Sequence, residues 1–149
     1  MTGYAAFLSA GLTAFIALFL CACKTDKTDP QLTLPADHMA IQAHQTLQAV
    51  DGLAVRGDTV SVSICPQGAS CFAPNNASAR LTLSKNGQSN TVSLWTFIPN
   101  YTHPYPRQRT DSTSVNFEGK LYKVILRDGR TFIAEANVIQ QVIVQVAPL

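Results

Sequence analysis

Tyr101, His103, Tyr105, Arg107 and Arg109 fall in one run, IPNYTHPYPRQRTDSTS (98–114), which carries neither helical nor strand periodicity. Tyr and Arg dominate binding hot spots, and the three prolines of the run lower the ordering entropy lost when a partner docks. Connections of this length are uncommon in compact domains and are often functional when they occur. The first reading of residues 99–114 is a solvated surface loop, and the functional reading set beside it is a recognition loop. Arg107 and Arg109 also suit lipid phosphates or an anionic polymer.

Other chemistry is sparse. The chain has no Gly-x-Ser-x-Gly elbow, no His-Glu-x-x-His pair and no phosphate-cradling glycine loop. His38 and His44 would share a face if they sat on one strand, but two imidazoles make a poor metal site and surface positions explain them better. Asp58, Asp111, Ser112 and His103 contain the residue types of a triad, a composition that arises by chance in most chains. Glu118 and Glu135 are the only glutamates, and both fall in or beside predicted strands. The expectation is a chain that is not an enzyme and holds no cofactor or metal.

The first 23 residues, MTGYAAFLSAGLTAFIALFLCAC, contain no charged side chain; Lys24 and Asp26 are the first. About 20 apolar residues are enough to span a bilayer, so an uncleaved helix is one reading. The other is an export signal ending in small residues. Leu20-Cys21-Ala22-Cys23 resembles the lipobox of bacterial lipoproteins: an aliphatic residue, two small ones, then Cys. The resemblance covers about the first 24 residues and implies cleavage before Cys23. It also implies a diacylglycerol on the Cys23 thiol and a further acyl chain, such as palmitate, on its amine. Two features depart from the usual pattern: no Lys or Arg precedes the apolar run, and Cys21 occupies the middle lipobox position.

Buried acyl chains contribute about 0.8 kcal/mol per CH2, so two or three on one residue anchor it firmly. Lys24, rather than Asp, follows Cys23, which by the enteric sorting pattern points to the outer membrane more than the inner. The resemblance therefore divides the chain into a signal peptide (1–22), a lipid-anchored tether (23–37) and a domain (38–149) of the cell envelope or periplasm. The 14 residues from 24 to 37, polar and with two prolines, could span at most about 46–50 Å when extended.

Export also accounts for the cysteines. With Cys21 removed and Cys23 lipidated, Cys65 and Cys71 remain, in CPQGASC. An oxidising compartment makes them a structural disulfide, which on the chain-entropy model contributes roughly 2.4 kcal/mol. No further Cys or His lies close enough to complete a zinc site.

The domain reads as β. Hydrophobic residues are 46% of the chain and charged residues 13%, which excludes a disordered polymer; a net charge of +2 argues against a nucleic-acid partner. Val60, Val62 and Ile64 alternate with polar residues, as do Leu81 and Leu83. Asn86-Gly87, Glu118-Gly119 and Asp128-Gly129 read as turns, the last as a hairpin joining strands at 120–126 and 130–136. Val142, Val144 and Val146 share one face of a final run, 138–146. Residues 38–50 alternate imperfectly and fit a strand better than a short helix. The pattern predicts a small antiparallel β-sandwich or barrel of about seven or eight short strands.

Together these readings predict an envelope protein whose β domain serves as a binding or assembly-support module for a protein or envelope polymer. An inhibitor of a lysozyme or other hydrolase is the second reading, by analogy of architecture, and a divergent enzyme the third. Cys23→Ser should abolish incorporation of labelled fatty acid in cells; label persisting on that variant would contradict the lipobox assignment.

Overall fold

The computed structural model describes residues 33–66, 68–98, 111–134 and 136–149. Their strands are β1 (His38–Gln42), β2 (Thr46–Gln48), β3 (Ala54–Ser63), β4 (Asn76–Lys85), β5 (Gln88–Phe97), β6 (Asp111–Phe117), β7 (Lys120–Ala134) and β8 (Asn137–Pro148). A single 3-10 turn, Val50–Gly52, precedes β3. The first sheet has the order β1-β8-β7-β6 and the second β2-β3-β4-β5. Every pairing is antiparallel, and the two sheets form a β-sandwich.

Period-two alternation decides which face of each strand is buried. Ile41, Val142, Val144, Val146, Tyr122, Val124, Leu126, Val115 and Phe117 line the inner face of the first sheet. Val55, Val62, Ala77, Ala79, Leu81, Leu83 and Leu94 line that of the second. All belong to one apolar cluster. Burying each large side chain contributes about 1.5–3 kcal/mol, which makes this shared layer the main stabilising term.

Two expected turns are present. Asn86 (φ 47°) and Gly87 (φ 80°) join β4 to β5, and Glu118 (φ 55°) and Gly119 (φ 81°) join β6 to β7. Positive φ at both central residues gives the mirror-image turn that matches strand twist. The two turns meet: the Asn86 amide donates to both Glu118 carboxylate oxygens, at 2.9 and 3.0 Å. Nearby, Lys85 Nζ donates to the hydroxyl of buried Tyr122 at 2.9 Å, tying the second sheet to the first. Lys120 pairs with Asp51, and its hydrogen bond holds the Asp51 carboxyl below the usual range.

The chain enters the sandwich at this same end. The Asp37 carbonyl accepts from Val146 N at 3.0 Å. Its carboxylate takes hydrogen bonds from Gln145 Nε2 and the His38 ring, which depress its pKa in that order of effect. Residues 38–50 form two strands rather than one. After Gln42 the chain bends through His44 (φ 64°) and moves to the second sheet. His44 N donates to Gly57 O, and Gly57 N donates to Gln45 O. His38 and His44 therefore do not share a strand face, as a single strand would have required.

Asp128-Gly129 does not form a hairpin turn. β7 runs through it without reversing, and the β7–β8 connection lies at residues 135–136. The ladder shifts register between Leu126 and Asp128, leaving Arg127 as the extra residue of a bulge. Asp128 Oδ1 instead accepts from Gly129 N at 2.8 Å. The bulge changes the facing order, so Gly129 turns inward opposite Val142. A Cβ there would stand 2.5 Å from Ala77 Cβ, 3.1 Å from Val62 Cγ2 and 3.2 Å from Ile98 Cδ1. Only a residue without a side chain lets the sheets close at this level. The strands are also not uniformly short: β7 has 15 residues and β8 has 12.

Gly129→Ala should cost about 1–3 kcal/mol, the range for overpacking a core. The urea midpoint should fall at unchanged slope, as expected when stability alone changes.

Candidate binding end

The end of the sandwich opposite Asp37 gathers three elements. They are the β3–β4 connection (64–75), the two roots of the 98–111 connection and the tip of the β7–β8 hairpin. Along β8, the residues from Gln145, opposite His38, to Asn137 span roughly 27 Å.

Cys65 and Cys71 form a disulfide with their Cα atoms 6.0 Å apart, as the sequence led us to expect. Asn75 organises the base of this loop from a buried position. Its side-chain Oδ1 accepts from Cys65 N at 2.8 Å, while its carbonyl accepts from Ile98 N at 2.9 Å. One residue thus fixes both the bridged loop and the point where the chain leaves β5. At the returning root, Asp111 Oδ2 accepts from Trp95 N at 3.0 Å. Residues 111–114 belong to β6, so the connection is shorter than the 99–114 loop expected from sequence. Its remaining residues, with Tyr101, His103, Tyr105, Arg107 and Arg109, lie outside the described residues, as does Cys23.

β7 and β8 extend past the last pairings with their neighbours, Asp111↔Leu126 on one side and Gln42↔Gln141 on the other. The overhang exposes the cross-strand pair Ile133 (77%) and Val138 (70%). Ile64 continues the inward series of Val60 and Val62 but is also exposed, as is Phe72 within the bridged loop. Gln140 Nε2 donates to Val62 O at 3.1 Å, joining the overhang to the second sheet. Core-facing side chains are therefore uncovered where the two sheets cease to overlap.

Two of the residues that could have been combined into a triad, Asp58 and Asp111, hold other partners. Asp58 accepts from Thr82 Oγ1 at 2.7 Å beside Arg56, and Asp111 holds Trp95 N. Among the described residues, no three His, Cys, Asp or Glu side chains gather as metal ligands. Sequence reasoning missed Asn75, Trp95, Phe97, Ile133 and Val138. Strand parity carried a signal for Trp95, since Val92, Leu94 and Thr96 take the inward positions of β5.

Comparison with protein-family models, with curated proteins and with solved structures finds no match.

Replacing Cys65 and Cys71 with Ser should lower stability by roughly 2.4 kcal/mol. Asn75→Ala, which leaves Cys65 N without its acceptor, should cost about 1–3 kcal/mol. Chemical denaturation checks both.

Proposed function

We propose that this chain is a lipid-anchored bacterial envelope protein whose β domain acts as a binding or assembly-support module. Cys23 carries the lipid, and the 99–114 region makes the principal contact with an envelope partner. The outer membrane is the favoured location, because Lys24 follows the lipidated residue.

One observation carries this reading: the chain enters the sandwich at Asp37, while Ile98 and Asp111 are held at the other end. A domain tethered through residues 23–37 can then turn its binding end away from the bilayer. The roots at Ile98 and Asp111 hold the two ends of the connection in fixed places, which lowers the entropy lost when a partner docks there. Exposed Ile133, Val138 and Phe72 supply apolar area at the same end as the roots, and the Tyr/Pro/Arg composition of 99–109 supplies anchors.

Crosslinking of the native anchored protein in cells, followed by its purification, should recover a defined envelope partner. Tyr105→Ala combined with Arg107→Ala should reduce that recovery about tenfold while leaving the protein level unchanged. Undiminished recovery would overturn the assignment of the contact to this region.

A further inference from the structure

The outer face of the second sheet differs from an ordinary solvated β surface. Three cross-strand rows, read from the register, define it: Thr59, Arg80 and Ser93; Ser61, Ser78 and Trp95; Ser63, Asn76 and Phe97. Towards the other end, Thr82 and Thr91 continue the hydroxyl series with their oxygens 3.2 Å apart. No Lys or Glu occupies an outward position on β3, β4 or β5. Arg56 lies beside Asp58, and among the described residues of this face exposed Arg80 is the remaining cation.

Against this hydroxyl field stands one aromatic platform. Trp95 is 39% exposed on edge strand β5. Its ring meets Phe97 edge-on, with centroids 4.3 Å apart and planes at 73°. Asp111 fixes its backbone. The indole is held in place without belonging to the core. Arg80, the diagonal neighbour on β4, is within reach of anything stacked on it.

We infer that this face is a binding site for a neutral, β-linked polysaccharide, with Trp95 as the stacking surface and Ser78, Asn76, Ser61 and Arg80 as hydrogen-bonding partners. Complementarity selects this ligand. A polyanion or anionic lipid surface would call for a cluster of cations, and among the described residues this face offers one beyond the Arg56–Asp58 pair. An apolar protein surface would bury the rows of hydroxyls without partners, at a cost for each. A sugar chain presents an apolar ring face to the indole and its own hydroxyls to the Ser and Thr rows. Those rows repeat at about 4.8 Å across the sheet. The site needs no lipid, and Asp111 is the one residue of 99–114 that it uses, as the acceptor for Trp95 N.

Trp95 is the only tryptophan in the chain, so its fluorescence reports this site alone. The test uses the full chain in a zwitterionic detergent, since glycoside detergents would compete. It is titrated with cello-oligosaccharide and with chito-oligosaccharide. At least one should shift or quench the emission saturably. Calorimetry should show about tenfold weaker binding for Arg80→Ala and loss of binding for Trp95→Ala, with both variants retaining the wild-type β circular dichroism. Arg80 is exposed, so its variant keeps the test meaningful if Trp95→Ala folds poorly. An unchanged emission at millimolar concentrations of both sugars would overturn the proposal. So would a response only to an anionic polymer such as alginate, or emission that changes only with self-association seen by light scattering.

Discussion

The contact between β7 and the second sheet at Gly129 shapes the rest of this molecule. Ala77, Val62 and Ile98 press on the space a side chain would fill, so the two sheets meet at backbone distance there. Because the chain passes through this point as strand, β7 and β8 form one ladder from Tyr122↔Pro148 to Ala134↔Asn137. A reversal at Gly129 would leave β8 without a partner along half its length. Continuity instead carries both strands past the edge of the sandwich and exposes Ile133 and Val138. The architecture of the end that bears Ile133 and Val138 is thus a consequence of close packing in the core.

The same point marks where the sequence could be misread. Alternation identified the inward stripes on β4 and β8, because a sheet buried on one face imposes period two. Asn86-Gly87 and Glu118-Gly119 announced turns that exist. Asp-Gly has the same local preference, but local preference does not decide whether a glycine serves a turn or a tight contact. Strand-length matching would have resolved it: a run from 138 to 146 needs an equally long partner, and only a continuous β7 provides one. The disulfide followed from the compartment the leader implied, combined with spacing that permits closure. Asn75 was not legible, because its role depends on Cys65 and Ile98 meeting in three dimensions. The last residues of the expected loop were too polar to look like strand, yet 111–114 pair with β7 at the first sheet's edge, where outward side chains face water.

The two ends of the sandwich have different chemistry. Near the chain's point of arrival, ion pairs and side-chain hydrogen bonds link Asp37, Asp51, Lys85, Glu118 and Lys120 to their neighbours. These bonds close the end and leave little for a partner to satisfy. The far end has a bridged loop, an uncovered apolar pair and the rigid roots of a Tyr- and Arg-bearing connection. The flank beside it is a hydroxyl-rich surface with exposed Arg80 and one aromatic ledge. A tether that fixes one end of such a body leaves the other free to meet the envelope, so the polarity of the fold and the proposed anchoring agree.

The continuity of β7 can be tested directly by nuclear Overhauser contacts between backbone protons in isotopically labelled protein. An unbroken strand places Gly129 opposite Val142 and Thr131 opposite Gln140, with slow amide exchange in the hydrogen-bonded positions between them. Cross-strand contacts pairing Leu126 with Thr131 instead would place the reversal at Asp128-Gly129 and contradict the account.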